Sequence, residues 1–416
     1  MRTKCQGSLA ALSEPLQRGL GIFRRVGDLN AARPSASAVA LVHDWLVAHR
    51  GGEQVLLELA RLFPGAPIYT LVCDPRAIHP ELHQHPIQTS FIQRLPGAPR
   101  RFRQYLPLFP RAIESFDLSQ HQLVLSTSHC VAKGVRPARH QVHISYVHTP
   151  MRYIWDQMEH YLARVPAPTR PLARRGAMAL RRWDVRSGAR PDVLVANSEY
   201  VAARIRRVWG REEVQVLHPP VDVAFFHAAP PQVRAGFLVV SALVPYKRVE
   251  LAVQWASADG EQLTVIGEGP ELERLRRMAG PTVRFRQGLE RAALRQAYAS
   301  AEALLFCGVE DFGIVPVEAM AAGCPVIAFG EGGACETVCD TDDIARATGV
   351  FFHAPEPAAL RTAVAKFRRA RSKGAYAPQV LQKHAETFSA AVFLDGFKRI
   401  LGARLGQSAS QFLRTD

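Results

Sequence analysis

The sequence predicts an α/β fold in which two doubly wound domains face each other across a cleft. The chain has 416 residues, more than a single hydrophobic core usually accommodates, so two domains are expected. Short apolar runs rich in β-forming residues alternate with segments of helical periodicity, which is typical of parallel sheets covered by helices. The double proline in HPPVD, residues 218–222, interrupts this alternation and marks the boundary between the domains.

The first series of elements precedes the double proline. Strands are predicted at residues 38–46, 122–126, 142–147 and 192–198. Residues 50–63 predict a helix, because apolar side chains recur at helical spacing and a Pro-Gly pair ends the pattern. Ser198 is expected to cap the helix after the last of these strands, and Gly210 is expected to end it.

The second series of elements follows the double proline. Its predicted strands lie in GFLVVSA, QLTVIG, VRFRQG, ALLFCG and PVIAF. Predicted helices begin at Val249, Glu271 and Glu290, and a further helix contains EAMAAG. Open sheets of this kind bind ligands at the carboxyl ends of their strands, so two facing domains create a deep cleft. The predicted division is 1–37 as a poorly ordered extension, 38–219 as the first domain and 220–391 as the second.

Composition and charge narrow the class of protein. Apolar residues make up 48% and charged residues 21% of the chain, as in ordinary globular proteins, and no uninterrupted apolar run reaches the length of a membrane span. The seven cysteines are scattered without a CxxC pair, which favours a reducing compartment. The net charge of +15 is concentrated, because residues 94–111 hold five arginines and no acid, and residues 164–190 hold eight arginines and one acid. These two segments, which we call the basic stripes, favour binding to phosphate groups on nucleic acid or on a membrane surface.

The stretch EDFGIVPVE, residues 310–318, is the first candidate site. Glu310 is expected on the loop after the strand ALLF, and Glu318 inside the helix that follows, because the proline between them fits only a first helical turn. The two acids then bracket the free N–H groups of Phe312, Gly313 and Ile314, which form an anion site suited to a diphosphate. One carboxylate could hold diol hydroxyls and the other could face the group bonded to the phosphate. The alternative is two surface acids around an ordinary loop.

Two further strand ends in the second half carry compatible residues. Lys247 and Arg248 lie at the turn after GFLVVSA, where a cationic pair could stabilise a leaving diphosphate. QLTVIG is followed by the G-x-G turn of Gly267, Glu268 and Gly269, which lacks the third glycine of a dinucleotide fingerprint. A solvated turn lysine and a plain glycine turn are the alternatives.

The first half offers two more candidates. Gly51 and Gly52 open a helix after a strand and turn, a geometry that suits phosphate. His148 follows the strand VHISYV and is expected on the cleft side. A plain turn and a structural histidine are the alternatives. The D-x-D triplet at residues 340–342 sits in a polar loop rather than at the end of a central strand, so no metal site is expected there.

Two other enzyme classes fit the acids of EDFGIVPVE poorly. D-F-G holds magnesium in protein kinases, but this chain has neither a glycine-rich loop followed by a strand lysine nor an H-R-D catalytic loop. A glycosidase pair is also disfavoured, because an acid inside a helix beside a phosphate site is an odd partner for activating water.

Taken together, these elements resemble the retaining glycosyltransferases of the GT-B fold, specifically family four, also called group 1. EDFGIVPVE followed by EAMAAGCPVIAF and GEGGACETV is the most specific part, and LVPYKRVELAV and VIGEGPELERL match in the same order. HDWL, RGGEQVL, STSHCVAKGV and SYVHTPMRYIWD resemble a branch of bacterial GDP-mannose-dependent mannosyltransferases of surface-polysaccharide assembly. The resemblance implies two Rossmann-like domains, with a helix at about residues 392–416 that crosses back onto the first.

The resemblance also implies roles for the candidate residues. Glu310 would contact the donor sugar near its anomeric carbon, and Glu318 would bind the ribose hydroxyls. Lys247 would stabilise the leaving diphosphate, and the backbone at residues 312–314 would meet the diphosphate or sugar. In the first domain, His148 would lie beside the sugar, and Gly51 with Gly52 would allow close approach to the phosphates. Many relatives carry an arginine five residues before the lysine, where this chain has Ala242, and Arg248 is the candidate substitute.

The implied reaction uses neither a cofactor nor a metal ion. The expected donor is a nucleotide sugar, with GDP-mannose as the best guess, and the expected acceptor is a polyprenyl-diphosphate-linked saccharide. In residues 91–111, Arg100, Arg101 and Arg103 interleave with apolar side chains, as in segments that lie on anionic lipid. We therefore expect a cytoplasmic protein, peripheral on the inner membrane, with this segment as its membrane or acceptor face.

Two other functions fit the same sequence. A nucleotide-sugar epimerase would share the architecture, and a non-catalytic lipid or nucleic-acid binder would explain the charge of +15. A nucleic-acid partner is not expected, because the chain has no zinc-finger spacing and no aromatic sheet motif of the common RNA modules.

Overall fold

The computed structural model describes residues 38–48, 51–163, 165–228 and 233–412. The prediction for residues 1–37 lies outside these described residues. Within them, the strands form two separate parallel sheets, so the predicted α/β class with two doubly wound sheets is confirmed.

The first sheet has seven strands in the order β3-β2-β1-β4-β5-β6-β7, and all its pairings are parallel. The strands are β1 (Val39–His43), β2 (Ile68–Thr70), β3 (Ile87–Thr89), β4 (Leu123–Ser128), β5 (Val142–Val147), β6 (Val193–Ala196) and β7 (Gln215–Val216). Every residue of β1, β4 and β5 is buried, because helices cover both faces of the sheet. The burial fits the apolar run of β1, whereas β4 and β5 also bury polar residues, among which Ser126 is hydrogen-bonded to His143 and Ser145.

Within the described residues, six α-helices lie between β1 and β7 in the chain. They are α1 (Gly51–Leu62), α2 (Phe109–Glu114), α3 (Arg152–Trp155), α4 (Met158–Ala163), α5 (Arg170–Gly188) and α6 (Glu199–Trp209). The predicted caps of α6 are confirmed: the Ser198 hydroxyl accepts from the N–H of Val201, and Gly210 ends the helix in the left-handed region at φ 65°. Residues 91–94 and 102–108 form short 3₁₀ helices.

The second sheet has six parallel strands in the order β10-β9-β8-β11-β12-β13. The strands are β8 (Phe237–Val240), β9 (Leu263–Ile266), β10 (Val283–Arg286), β11 (Ala303–Phe306), β12 (Val326–Phe329) and β13 (Gly349–Phe352). The helices from here on are α7 (Val223–His227), α8 (Val249–Asp259), α9 (Leu272–Met278), α10 (Arg291–Ser300), α11 (Ile314–Ala321), α12 (Ala334–Thr337), α13 (Pro357–Ser372), α14 (Pro378–Glu386), α15 (Ala390–Leu405) and α16 (Ala409–Phe412).

Four strands were not predicted from the sequence. Strands β2, β3 and β7 have three, three and two residues, too few for a period-2 pattern to be recognised. Strand β13 follows the polar loop after residue 340 and has four residues at the edge of its sheet. Strands β3, β7 and β13 are edge strands and β2 is next to an edge, where pairing with a preformed neighbour, rather than local pattern, defines the strand.

The last long helix packs on the first sheet. Phe393, Phe397 and Leu401 of α15 belong to the same apolar cluster as Leu41 of β1 and Leu125 of β4. The chain therefore returns to its first sheet after completing the second. None of the helices in the described residues combines the length and apolarity needed to cross a bilayer.

Both sheets reverse their strand order at one point, which positions the site. In the first sheet, β1 lies between β2 and β4, and in the second, β8 lies between β9 and β11. At such a point, the loops that follow two neighbouring strands run to opposite sides of the sheet. The gap between these loops is the crevice where ligands bind in open sheets of this kind. The candidate residues that follow β1, β8 and β11 are therefore placed at the crevices of the two sheets, and His148 follows β5, the neighbour of β4.

Candidate active site

A cavity of about 500 Å³ is lined by residues from both sheets' crevices. Of the residues predicted for the site, those that line it are Gly51, Gly52, His148, Lys247, Glu310, Phe312, Gly313 and Ile314, together with Arg103. The predicted donor-binding residues that do not line it are Arg248, Gly267, Glu268, Gly269 and Glu318. The structure thus gathers residues from four separate strand ends around one space.

The loop that carries Glu310 is braced by the GEGG segment at residues 330–333. Glu310 forms an isolated β-bridge with Gly332, and its carbonyl accepts the N–H of Gly333 at 2.8 Å. A Cβ on Gly333 would lie 2.3 Å from Cα of Phe312, so only glycine permits this approach. The loop then enters α11 through Gly313, whose φ of 96° is also a glycine conformation. No side chain caps α11, so its first N–H groups remain open to an anion.

Lys247 and Glu310 form an ion pair inside the cavity. Burial lowers the pKa of Lys247 to about 8, and the nearby Arg152 acts in the same direction while Asp311 opposes it. Arg152 belongs to the first domain, and its guanidinium lies 5.3 Å from the ring centre of Tyr246. A bound diphosphate would compete with Glu310 for the ammonium group.

His148 faces the cavity as a neutral imidazole. Burial, followed by the neighbouring His129 and His43, lowers the pKa of His148 to about 3. Its ring packs at a steep angle on Tyr146, with centroids 5.2 Å apart, and its Nε2 lies 3.6 Å from the position of a Cβ on Gly52. Nε2 is buried and has no hydrogen-bond partner among the described residues. Because the ring is neutral at pH 7, it can exchange a hydrogen bond with a sugar hydroxyl but supplies no positive charge.

Gly51 lies at a contact between the two domains. A Cβ at this position would lie 2.3 Å from Cδ1 of Ile314, the first residue of α11. The N-termini of α1 and α11 therefore approach each other across the cavity. The glycine pair was predicted for approach to phosphate, and the structure adds this packing reason for the first glycine.

Asp44 organises the first-domain side of the cavity and was missed in the sequence. Its carboxylate accepts the N–H groups of residues 129–132 at 2.6–2.9 Å and lies 3.2 Å from Nδ1 of His129. Burial favours the neutral acid, but His129, His43 and the backbone N–H groups together hold the pKa of Asp44 below its usual value. The available signal was an acid directly after a buried strand, in HDWL.

Glu318 lies inside α11, as predicted, and outside the lining of the cavity. Its Oε2 accepts the hydroxyl of Tyr298 in α10 at 3.0 Å. Burial raises the pKa of Glu318 to about 7, although Tyr298 and Arg291 act in the opposite direction. The predicted ribose contact stays a prediction.

The G-x-G turn and Arg248 have structural roles that the sequence did not reveal. A Cβ on Gly267 would lie 1.8 Å from the carbonyl oxygen of Ser241, and one on Gly269 would lie 2.2 Å from that of Leu243. This turn therefore supports the loop that carries Lys247. Arg248 has a φ of 50°, and its guanidinium lies 5.0 Å from the ring centre of Phe329. The donor contacts predicted for these residues stay predictions.

The three arginines predicted for the membrane or acceptor face differ in position. All three are exposed, but only Arg103 lines the cavity, whereas Arg100 and Arg101 do not. The guanidinium of Arg103 lies 4.8 Å from the ring centre of Phe102 and 5.9 Å from that of Trp45. This residue therefore faces the site rather than only the surrounding solvent.

Contacts also join the loop after Glu310 to the first domain. Nη1 of Arg204 lies 2.5 Å from Oδ1 of Asp311, and the Ser198 hydroxyl donates to the carbonyl of Asp311 at 2.5 Å. Glu336 of α12 accepts the first N–H groups of α6 at 2.8 and 3.0 Å. The residue next to Glu310 is thus held by the opposite domain.

The described residues contain no group of three histidine, cysteine or acidic side chains arranged to hold a metal ion. In the D-x-D triplet, Asp340 accepts from Lys366 at 2.7 Å and from the N–H of Phe351 at 3.0 Å. The absence of a metal requirement stays a prediction.

Two family profiles match adjoining parts of the chain. The family described as Glycosyltransferase Family 4 matches residues 49–225, and the family described as Glycosyl transferases group 1 matches residues 224–377. The junction of the two matches lies beside the double proline, between the two sheets. Together the matches span residues 49–377, which contain every strand of the two sheets except β1 and all the site residues predicted from the sequence.

Curated relatives are similar over part of the chain. A GDP-mannose-dependent alpha-(1-6)-phosphatidylinositol monomannoside mannosyltransferase of Mycobacterium tuberculosis is 32% identical over 183 residues, which is 37% of this chain and 48% of the relative. A GDP-mannose-dependent alpha-mannosyltransferase of Mycolicibacterium smegmatis is 37% identical over 133 residues, 31% of this chain and 35% of the relative. The match thus spans at most about half the length of these relatives.

Solved structures share the fold over most of the chain. HepE of Anabaena, in complex with UDP and glucose, superposes with a TM-score of 0.63 at 16% identity and covers 88% of this chain and 99% of its own. Sucrose-phosphate synthase from Thermosynechococcus elongatus gives a TM-score of 0.66 at 18% identity, with coverage of 88% and 99%. At these identities the likeness concerns the fold, which is the GT-B arrangement of two Rossmann-like sheets.

Proposed function

Because the chain belongs to the glycosyltransferases of group 1 and family four, we propose that it transfers a hexose from a nucleotide sugar to a saccharide acceptor. One observation carries the proposal. Lys247, Glu310 and His148 line one cavity together with the uncapped N-terminus of α11, and both domains contribute to this cavity. A nucleoside diphosphate sugar needs positive groups for its diphosphate, which a cation and a helix N-terminus supply. It also needs polar groups for its sugar, which Glu310 and His148 supply.

GDP-mannose is the proposed donor. The support is the similarity to two mycobacterial proteins that are described as GDP-mannose-dependent mannosyltransferases. The diphosphate would lie against the N-terminus of α11 and Lys247. Glu310 and His148 would then contact the mannose, and Glu318 would bind the ribose hydroxyls.

The proposed reaction retains the configuration of the sugar and uses no metal ion. The bond between the anomeric carbon and the diphosphate oxygen breaks, and the acceptor oxygen bonds to the same face of that carbon. The proton of the acceptor hydroxyl passes to the leaving phosphate oxygen. Lys247 and the N–H groups of α11 stabilise the negative charge that develops on the diphosphate, because fixed donors in a buried site need no rearrangement during the reaction.

The proposed acceptor is a saccharide linked to polyprenyl diphosphate, reached from the cytoplasmic face of the inner membrane. One relative is described as acting on a phosphatidylinositol monomannoside, which is also lipid-linked. The exposed arginines of residues 91–111 and of α5 support contact with an anionic surface.

A donor screen tests this function. Thermal unfolding is followed with UDP-, GDP- and ADP-sugars, and a bound donor raises the unfolding temperature. We expect GDP-mannose to stabilise the protein most, and GDP release to require a lipid-linked acceptor. If no nucleotide sugar stabilises the protein, the proposal is wrong. Stabilisation with conversion of the sugar in the absence of acceptor would instead identify an epimerase.

A further inference from the structure

A second group of side chains lines the cavity from the first domain and is not used by the donor. We propose that Trp45, Arg103 and His129 form an acceptor subsite that binds an anionic group carried by the acceptor saccharide. This inference rests on the proposed function, and it specifies the chemical class of the acceptor. We call these three residues the acceptor-anion subsite.

The aromatic part of the subsite is held rigidly. The Trp45 ring meets the edge of His129 at a centroid distance of 4.3 Å and lies 4.9 Å from Phe102 and 6.1 Å from Phe109. Phe102 and Phe109 are each 1% exposed, so the core fixes them. His129 is fixed in turn by the buried carboxylate of Asp44 at 3.2 Å. An indole face that is already positioned can receive a sugar ring without reordering side chains.

Arg103 supplies the positive charge of the subsite. Its guanidinium stacks on the rings of Phe102 and Trp45, which restricts its orientation. Within the described part of the chain, no carboxylate forms a salt bridge with Arg103, whereas eighteen other arginine or lysine residues form at least one. A planar guanidinium that is oriented and free of an internal acid is suited to a phosphate or carboxylate.

The acids that surround the subsite do not neutralise Arg103. Asp44 lies next to Trp45 in the chain, but its two oxygens accept four backbone N–H groups. Glu53 also lines the cavity, and it lies 3.9 Å from His43. Residues 94–111, which carry Arg103, contain no acid at all. Arg103 therefore remains able to pair with an anionic ligand.

The two cations of the cavity then have separate functions. Lys247 comes from the second domain and faces the diphosphate of the donor, which leaves with the nucleotide. Arg103 comes from the first domain and would hold an anion that stays with the acceptor. That anion is either a phosphate of the lipid carrier or a carboxylate of an acidic sugar, and both bind a guanidinium in the same way.

The test compares charged and neutral saccharides on protein saturated with GDP, so that the donor phosphate site is occupied. Ligand-observed NMR titrations use α-mannose 1-phosphate, methyl glucuronide and methyl α-mannoside. We expect the wild type to bind at least one charged probe about tenfold more tightly than the neutral one. Arg103→Gln should abolish this preference, and Arg103→Lys should restore part of it. The matched control Arg139→Gln, which changes an exposed arginine outside the lining of the cavity, should leave it unchanged.

The outcomes separate the subsite from the proposed function. Equal binding of charged and neutral probes by the wild type, or an unchanged preference in Arg103→Gln, would overturn the subsite. A preference for the phosphate alone identifies the lipid phosphate as the source of the anion, and a preference for the carboxylate alone identifies an acidic sugar. Thermal stabilisation by GDP is measured on the same samples. If GDP does not stabilise the wild type, the proposed function is contradicted. If GDP still stabilises Arg103→Gln, the donor site of that variant is intact.

Discussion

Lys247 holds its positive charge in an environment that disfavours it. Burial and the nearby Arg152 lower its pKa to about 8, so a part of the ammonium population loses its proton just above neutral pH. Glu310 is its partner in the structure, and the donor diphosphate is the proposed second one. A lysine of this kind makes donor capture depend on pH in a range where most lysines stay charged.

We expect Lys247→Ala to reduce the transfer rate by about 10²-fold or more, as for the loss of a positioned charge. In the wild type, kcat/KM should fall as pH rises through about 8, because the neutral amine no longer attracts the diphosphate. Lys247→Arg should move this alkaline decline to higher pH, since a guanidinium keeps its proton. The measurement is a pH profile of kcat/KM for the donor. Near-normal turnover of Lys247→Ala would contradict the role.

The two glutamates of EDFGIVPVE should have different functions. Glu310 lines the cavity with Lys247, whereas Glu318 is buried against Tyr298 and has a pKa of about 7. We expect Glu310→Gln mainly to lower kcat and Glu318→Gln mainly to raise the KM of the donor.

The pH dependence separates these two functions further. Because the pKa of Glu318 is raised, the wild type carries an ionised carboxylate only above about pH 7. The donor KM should therefore rise as pH falls below this value, and Glu318→Gln should remove the dependence. Steady-state kinetics between pH 5.5 and 8.5, on the order of three pH units around that pKa, provide the measurement. Indistinguishable kinetic profiles of the two variants would show that Glu310 and Glu318 do not have different functions.

At the scale of single elements, helix α5 buries its one acidic residue and exposes most of its arginines. Its one acid, Asp184, is fully buried and accepts from Lys133 at 2.6 Å and from the indoles of Trp155 and Trp209 at 2.8 and 2.7 Å. Its outer face carries exposed arginines, and Leu172 is 72% exposed. Because its one acid is buried, the exposed charged residues of α5 itself are all basic, namely Arg170, Arg174, Arg175, Arg182 and Arg186.

The two basic stripes of the sequence lie on the same side of the first sheet. Leu180 and Trp183 of α5 share an apolar cluster with Ile92 and Phe102, which belong to the other stripe. The sequence predicted each stripe separately, but their proximity follows only from the packing of both segments on one sheet face. Two neighbouring basic segments of this kind are suited to an anionic membrane.

The α5 surface is tested with the triple variant Arg175→Gln, Arg182→Gln and Arg186→Gln. Each arginine near an anionic surface contributes about 1 kcal/mol, so the triple variant should bind anionic vesicles roughly 100-fold more weakly. Co-sedimentation with vesicles of phosphatidylglycerol and phosphatidylcholine, at low and high salt, measures the effect.

The control for this comparison removes the same charge from the second domain. Arg277, Arg284 and Arg369 are exposed there, and changing all three to glutamine should leave vesicle binding nearly unchanged. Wild-type binding that is indifferent to anionic lipid and to salt would argue against membrane docking by this surface.

At the scale of the whole molecule, the sequence predicted those features that depend on local pattern. The alternation of apolar runs and helical periodicity predicted the central strands, and Ser198 with Gly210 predicted both ends of α6. Glu310 and Lys247 were predicted together, because carboxyl ends of parallel strands meet at one edge. The contacts of Asp44 and Asp311 were not predicted, because each joins segments that are distant in the chain and carries no periodic signal.

The cleft is closed by contacts that converge on the loop after Glu310. Asp311 pairs with Arg204, which is 6% exposed and belongs to α6 of the first domain. The hydroxyl of Ser198 both caps α6 and donates to the carbonyl of Asp311. Glu336 adds its carboxylate to the N-terminus of the same helix from the second domain. The position of Glu310 is therefore coupled to contact between the domains.

We expect Asp311→Asn to lower turnover about 10- to 100-fold, because a small displacement of Glu310 suffices to disturb the reacting geometry. GDP affinity should change little, since the proposed GDP contacts lie in the second domain. If Arg204 and Asp311 act as one unit, Arg204→Gln combined with Asp311→Asn should be no slower than Arg204→Gln alone. Asp259→Asn is the control, because it removes an exposed ion pair with Arg361 within the second domain. Fully multiplicative rate losses in the double variant, or normal turnover of Asp311→Asn, would show that the pair does not position Glu310.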